Sequence, residues 1–587
     1  MFKQRKSKQE ADNIAACVHS CMFVRTVSMS SMQTTVDLRK KRLDFARRSA
    51  RAWQNYFDAH GLLPNITLSP EQISVVQQDE DQMLINGSAG TGKSLTLIYK
   101  LIKVMEQENE PKRILYCSFN TTLVEDARKR IEQSSKFHEI KDKHTLHMET
   151  FHYMAARILR EIGFPNAEFL RINLENLRRY EDAITRRTIA LVDTFMESEE
   201  YKKLPLEQKL YKTHAGTFLM DEILWMKANG FVTEESYYHC ERAGRGNIPR
   251  LTKEQRRTIF YLYKEYEKML KKQFHDHLDL EDYALLLLKY FDDIPDSLKY
   301  DYIFVDEVQD LQAMQLKALV RLAKKSIVVS GDPKQRIYKR SPFSYRDLGL
   351  HIEGRKTRNL RTNYRSTKQI MKLASSLEFI DIENDRLDDQ RFVREGKKPS
   401  IYFFQSSKEL SCHLVNQVKV IQKNDPDATI AVIHRHDADV YAIYRCPVLM
   451  ELKKHFDVIT TSQYGRRFDL NKQKKPIFFT DAYSVKGLEF DYVFLIHFDR
   501  DHYPNKKRIE ELDKRAGDNK NSDGYKADFD AILNDEKKVL YVAITRAKKE
   551  VQLMYTGRNF RSICPFVRNF HKEDYDAFGF DSSIYSK

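Results

Sequence analysis

Residues 87–94 read GSAGTGKS, and an apolar run, Met83, Leu84 and Ile85, leads directly into them. A G-x-x-x-x-G-K-[ST] turn between a strand and a helix opening at Lys93 is a phosphate cradle. Backbone N–H groups of Gly87, Ser88, Ala89, Gly90, Thr91 and Gly92 line its concave side. The Lys93 ammonium reaches the β- and γ-phosphates, and the Ser94 hydroxyl is placed to ligand Mg²⁺. At average glycine usage the pattern arises by chance in roughly one chain of this length in fifty. The preceding strand and the periodic apolar residues that follow make chance rarer still, so the segment implies binding of a nucleoside triphosphate.

From residue 69 onward, strand-like and helix-like stretches alternate. Apolar runs at 83–86, 114–118, 302–305 and 327–330 read as strands of a parallel, doubly wound α/β sheet. Residues 151–295 are dense in Leu, Tyr, Lys and Glu and read as a helical insertion carried by that sheet. Further strands are expected at 401–404, 429–433, 478–480, 492–496 and 551–554, forming a second α/β unit. The Lys/Asp/Asn-rich stretch 505–530 reads as an exposed loop. The organisation expected is an N-terminal extension (1–68), a first lobe (69–150 with 296–355), the insertion (151–295), a second lobe (356–560) and a C-terminal tail (561–587). Two nucleotide-type sheets in one chain suggest a motor with a cleft between them.

A net charge of +15 over 587 residues favours a polyanionic partner, with a basic soluble surface as the plain alternative. No apolar run is long enough to span a bilayer, which excludes a membrane-spanning role. Cys17, Cys21, Cys117, Cys240, Cys412, Cys446 and Cys564 form no paired C-x-x-C sets and read as reduced thiols of a cytoplasmic protein. Within the extension, residues 1–35 read as disordered and 39–57 as a basic amphipathic helix with Leu43, Ala46, Ala50, Trp53 and Phe57 on one face.

Phosphate chemistry needs a carboxylate to hold the metal and a group to activate water. Asp306 and Glu307, at the end of the run Ile303-Phe304-Val305, supply both. Downstream, GDPKQRIY at 331–338 again follows a strand, and the Gln335 amide is suited to hydrogen-bonding a γ-phosphate. Two further arginines, Arg365 and Arg546, stand out, since an arginine meeting a γ-phosphate from an opposite lobe stabilises developing charge; the resemblance that follows implies that role for both.

Taken together, these segments resemble superfamily 1 DNA helicases of the UvrD/Rep/PcrA type. The ordered set is Leu68-Ser69-Pro70-Glu71-Gln72, GSAGTGKS, Ser118-Phe119-Asn120 and Thr150-Phe151-His152. It continues with Asp306-Glu307-Val308-Gln309-Asp310, GDPKQRIY, Asn363-Tyr364-Arg365-Ser366, the 483–490 run YSVKGLEF, and Leu540 to Ala547. The resemblance implies two RecA-like lobes with a helical 1B-type insertion in the first. It implies ATP and Mg²⁺ as cofactors and single-stranded DNA or a 3′-tailed duplex as partner, with movement 3′ to 5′. Gln72 would read the adenine and Tyr364 would stack on it. Gly487 and Glu489 would sit where the second lobe meets nucleotide and strand. Phe119, Thr150 and His152 would face single-stranded DNA, with the Phe119 ring as a stacking platform.

Three departures from the family pattern shape the expectation. Arg340 stands where relatives carry a base-stacking tryptophan, so its guanidinium plane takes over that contact or the step is remodelled. Leu95 follows the phosphate loop where relatives place an arginine against adenine. The interval between Ser366 and Tyr483 is too short for the family's extra helical subdomain, 2B, which is therefore expected to be absent or vestigial. The leading function is an ATP-dependent 3′–5′ DNA helicase or translocase. The alternative is an ATPase that remodels a protein or protein–nucleic acid complex, with a nuclease or polymerase as partner.

Overall fold

The structure is a computed structural model. It describes residues 62–63 and 66–585 apart from 171, 173, 215–216, 244, 336–341, 381–390, 436–442, 444 and 461–474. The expected disordered segment and basic helix at 1–57 lie outside the described residues, as does Arg340.

Six parallel strands make the first sheet, in the order β3-β2-β4-β5-β1-β6. They are β1 (Gln82–Gly87), β2 (Arg113–Ser118), β3 (Thr145–Thr150), β4 (Tyr300–Val305), β5 (Ala323–Gly331) and β6 (Thr357–Leu360). Helix α1 (Pro70–Gln77) precedes β1, and α2 (Lys93–Gln107), α3 (Thr121–Ile131) and α4 (Phe151–Glu161) follow β1, β2 and β3 in turn. This order sets β4, β5 and β1 side by side. Their carboxyl ends, which carry Asp306, Gly331 and the phosphate loop, therefore converge on one crevice.

The chain crosses a short ladder of β7 (Thr362–Asn363) and β8 (Arg391–Phe392) before the second sheet, whose order is β11-β12-β10-β13-β14-β9-β15. Its strands are β9 (Ser400–Phe404), β10 (Ile430–His434), β11 (Val458–Thr460), β12 (Ile477–Asp481), β13 (Phe490–Leu495), β14 (Ala547–Thr556) and β15 (Asp576–Phe578). Alternate residues of β10 enter opposite cores: Ala431 and Ile433 on one face, Ile430 and Val432 on the other. Both faces are thus covered, which is why the strand reads as a continuous apolar run rather than an alternating one.

Three boundaries differ from the sequence expectation. Strand β6 pairs with β1 through Leu84↔Thr357 to Gly87↔Leu360, so the first lobe extends past residue 355. The C-terminal segment is no free tail: β15 pairs with β9, and Cys564, Val567 and Phe570 are buried in the second-lobe core. The ends of the 151–295 block belong to the first lobe, because Ala155 and Ile158 of α4, with Tyr283 and Leu287, share a core with Ile303 and Val305 of β4.

The helical insertion proper has a separate core around α5 (Leu174–Glu197), α6 (Thr217–Asn229) and α7 (Lys253–Gln273), with Ile223, Trp225, Ile259 and Tyr266 fully or nearly buried. Lys227 lies within it with no solvent exposure, matched by Asp279 at 2.7 Å, Asp282 at 3.0 Å and Glu267 at 2.6 Å. A buried ammonium is tolerable only when its charge is compensated in this way.

The stretch 505–530 is helical, not a loop. Helix α8 (Lys506–Ala516) is capped by Asn505 and α9 (Asp523–Ile544) by Ser522, whose side chains accept from Lys507 N and Tyr525 N. Its Lys, Glu, Leu, Arg and Ala are good helix formers whose charge masks the pattern in sequence. One polar seam joins this hairpin to the insertion. Arg515 pairs with Asp221 at 3.1 Å, and Asp528 accepts from Asn247 N and Ile248 N at 2.8 and 2.7 Å. Between Ser366 and Tyr483, every described strand belongs to the second sheet or the short ladder. The helices Ser407–Asn424 and Pro447–His455 in that interval pack in the core of the second lobe. No described helix is long and apolar enough to cross a membrane.

Candidate active site at the junction of the two lobes

The phosphate loop is set by backbone geometry. Gly90 and Gly92 have φ of +89° and +80°, a region open to glycine and strained for residues with a Cβ. A Cβ at Gly90 would fall 2.6 Å from Asn363 Oδ1. That tightness comes from a strap on the loop: Asn363 Nδ2 donates to Ala89 O at 2.8 Å and Tyr364 N donates to Gly90 O at 3.0 Å. Lys93 Nζ donates to Gly87 O and Ser88 O at 2.9 and 3.2 Å. Ser88 Oγ is buried with no hydrogen-bond partner among the described residues. An orphaned hydroxyl, a lysine and turned-in amides are a donor set that fits a polyphosphate.

Asp306 is buried at the end of β4. Its Oδ1 accepts from Ser330 Oγ at 2.5 Å and its Oδ2 from Tyr116 OH at 3.0 Å. Burial, and then the neighbouring Glu307, raise its carboxyl above the usual aspartate value, while the Ser330 and Ser94 hydroxyls pull the other way. A divalent cation held between Ser94 and Asp306 would offset that cost, so the pair fits Mg²⁺.

Glu307 has φ +54°, in the left-handed region, at a cost of about 1 kcal/mol or more. The strain turns its carboxylate into the crevice, where Gln309 Nε2 donates to it. Burial disfavours its charge, but Lys486, Lys93 and Arg546 outweigh burial and hold it below the ordinary glutamate value. It is therefore an ionised carboxylate held in the crevice, able to accept a proton.

The second lobe meets this crevice directly. Arg546, fully buried, donates from Nη2 to Gln335 Oε1 at 2.9 Å and from Nε to Val542 O at 2.9 Å. Gln335 Nε2 in turn donates to Asp332 Oδ2 at 2.7 Å. Lys486 Nζ reaches back across the junction to Asp310 Oδ1 at 2.5 Å and to Gln335 O. Burial and the nearby Arg365 charge bring Arg546 down to about 10. Two arginines that repel one another are receptive to a third, negative party. Arg365 pairs with Glu489 Oε2 at 2.5 Å, and Arg130 of α3 meets Glu489 Oε1 at 3.4 Å. Burial opposes the Glu489 charge, but Arg365 and Arg130 prevail and hold it far below the usual value.

Ala89, Gly90, Gly92, Lys93, Ser94, Asp306, Glu307, Gln335, Tyr364, Arg365 and Glu489 border one cavity of about 480 Å³. Arg546 reaches it through Gln335. Gln72 does not border it: its Oε1 accepts from Ser69 N at 2.9 Å, capping α1, and its Nε2 donates to Thr91 O at 3.1 Å. Both bonds hold its amide beneath the loop.

The described side chains expected to face DNA are wholly or partly buried in the first lobe. Thr150 is buried and caps α4, accepting from Tyr153 N at 3.4 Å. His152 is buried edge-on to Phe151 and Tyr283, 3.4 Å from Gln315. Apolar packing of the first turn of α4 draws both inward. Phe119 is partly buried against the same core. Arg130, Arg394, Lys548 and Lys549 also border the cavity and were missed in the sequence. Lys548 and Lys549 follow Arg546 directly and were within reach of motif reading. Arg130 and Arg394 gain meaning only once the lobes meet.

The comparisons with known proteins agree with this geometry. Residues 68–340 match the UvrD/REP helicase N-terminal domain, and residues 467–558 match the UvrD-like helicase C-terminal domain. The chain is 25% identical over 399 residues to YjcD of Bacillus subtilis (strain 168), covering 65% of this chain and 48% of that one. It is 24% identical over 424 residues to the ATP-dependent DNA helicase PcrA of Staphylococcus epidermidis, covering 70% and 52% respectively. The chain spans about half the length of the curated relatives it matches. With both domain types matched in order, and with their strand ends and arginines converging on one cavity, the chain belongs to the UvrD/Rep helicase family.

Proposed function

We propose that the chain is an ATP-dependent 3′–5′ DNA helicase or single-strand DNA translocase that couples ATP hydrolysis to closure of its two lobes. The observation that carries this reading is the Arg546–Gln335 contact beside Glu307, since it links the hydrolytic crevice of one lobe to a buried cation of the other.

In this reading, Lys93 and the loop amides hold the phosphates while Ser94 and Asp306 hold Mg²⁺. The cation supplies charge neutralisation when bound. Glu307 takes the proton of the attacking water. Arg365 and Arg546 stabilise the charge that develops on the transferred phosphoryl oxygens, and the lobes draw together as they do so. Tyr364 borders the cavity as the aromatic face available to the base. Support for DNA as the track comes from the net charge of +15 and from the DNA helicase named among the relatives. The described strands between Ser366 and Tyr483 all belong to the second sheet or the short ladder, which supports a compact motor without a separate 2B subdomain.

The test is the ATPase rate with and without single-stranded DNA, alongside Lys93→Ala and Glu307→Gln, followed by strand displacement on 3′- and 5′-tailed duplexes. DNA should stimulate turnover, and Glu307→Gln should lower kcat at least about 100-fold. Unwinding or translocation should require the 3′ tail. Turnover indifferent to DNA, with neither tail engaged, would overturn the reading.

A further inference from the structure

Beyond the carboxyl end of β2, Thr121 N donates to Ile172 O at 3.2 Å, which brings the chain after α4 back to the edge of the first sheet. On that edge the rings of Tyr153 and Phe169 meet with centroids 4.7 Å apart and planes tilted by 43°. The two residues are 44% and 43% exposed. Among the described residues, no other touching aromatic pair leaves both rings this open. The Arg160 guanidinium lies over Phe169, 5.0 Å from its centroid. It is held there by Nε donating to Ala167 O at 2.8 Å and Nη2 donating to Pro165 O at 3.2 Å.

Three neighbours of Tyr153 are inside the protein: Thr150, Phe151 and His152 are 4%, 1% and 3% exposed. The solvent-facing group of this stretch is therefore the tyrosine ring. It sits in the first turn of α4, directly beyond β3, and β3 lies two strands from β4 with its Asp306. At the usual strand spacing that is about 10 Å along the same edge.

We propose that Tyr153 and Phe169, backed by Arg160, form a stacking platform for a base of single-stranded nucleic acid on the first lobe. The proposal rests on the translocase reading above and sets Tyr153 and Phe169 beside the platform expected from Phe119. Every base offers a π face, so two open rings grip a strand without reading its sequence. The fixed Arg160 guanidinium over Phe169 adds a cation beside the rings. Sequence-independent grip is what a motor needs if each step is to present a different base.

The test is fluorescence anisotropy of a labelled oligo-dT with the full chain. The double variant Tyr153→Ala with Phe169→Ala should weaken binding about tenfold or more. The slope of log Kd against log salt should stay the same, because no phosphate contact is removed. Tyr153→Phe, which keeps the ring, should bind like the unaltered chain. A double variant that melts like the unaltered chain and binds DNA equally well overturns the proposal. That result would mean the rings only pin the 164–172 segment or serve a protein partner. Photocrosslinking of an iodouracil-substituted oligonucleotide to the unaltered protein should map to Tyr153 or Phe169, and crosslinks confined elsewhere also overturn it. An unaltered chain that binds no single-stranded DNA overturns the translocase reading and this proposal together, whereas DNA binding indifferent to both rings overturns this proposal alone.

Discussion

Arg546 of the second lobe donates to Gln335 of the first at 2.9 Å, and both side chains are buried. Beside them Lys486 spans the same junction to Asp310, with each side chain 1% exposed. The two lobes are thus joined by buried charges beside Glu307. In the proposed function, a γ-phosphate would meet a cation already held by a neutral amide, with Gln335 linking the two lobes.

Removing that cation should affect chemistry more than binding. Arg546→Ala is expected to lower kcat by about 1,000-fold, in the range of arginine fingers, with a smaller change in the affinity for a non-hydrolysable ATP analogue. Arg546→Lys should recover little, since an ammonium cannot hold Gln335, Val542 O and Leu488 O at once. Steady-state kinetics with analogue titration checks both, and a variant with normal kcat would remove Arg546 from the machinery.

The second lobe approaches α3 closely enough to require glycine. Gly487 has φ +81°, and a Cβ there would fall 1.9 Å from Leu123 Cδ2. Gly487→Ala should destabilise the chain by about 1–3 kcal/mol through overpacking and backbone strain. Leu123→Ala in the same chain should restore part of the loss. Thermal melting of the two single variants and the double variant reads the coupling; strictly additive losses would show that the lobes do not press together here.

Acid should weaken the fold through His152. Burial lowers its imidazole to about 4, against 6.5 for an unhindered histidine. Between those values the unfolded chain binds a proton that the folded chain refuses. Stability therefore falls as pH drops from about 6.5 towards about 4, by up to about 1.4 kcal/mol per pH unit. His152→Phe should flatten that slope in denaturant titrations run across the window. An unchanged slope would mean the ring is protonated inside the fold.

In the seam between the insertion and the α8–α9 hairpin, one carboxylate takes several donors. Asp528 accepts from Asn247 N, Asn247 Nδ2 and Ile248 N at 2.8, 2.9 and 2.7 Å. Asp528→Ala leaves those donors unpaired and should cost about 2–4 kcal/mol. Limited proteolysis should then cut within 241–250, a segment expected to resist in the unaltered chain. Equal protection in both would show that Arg515–Asp221 and apolar contacts suffice.

Much of the active site was legible because its chemistry is local. The phosphate loop, Asp306 with Glu307, and Gln335 each follow directly from a strand, and parallel strands deliver their ends to one edge. Other features were not legible, for a different reason. Gln72 and His152 occur in motifs associated with ligand contact, yet Gln72 caps α1 and bonds Thr91 O, and His152 packs edge-on to Phe151 and Tyr283. The charged run at 505–530 conceals two helices whose Arg515 and Asp528 bond the insertion, a partner hundreds of residues away in sequence.

The residue order alone determined that this chain carries a phosphate-loop turn and two α/β lobes, because strand, turn and helix signals act over a few residues. Only the tertiary structure decided which side chains border the cavity, which are buried as props, and which rings stay open to solvent. Those outcomes depend on how lobes, insertion and hairpin pack, and packing is set by distances between segments that the sequence does not contain.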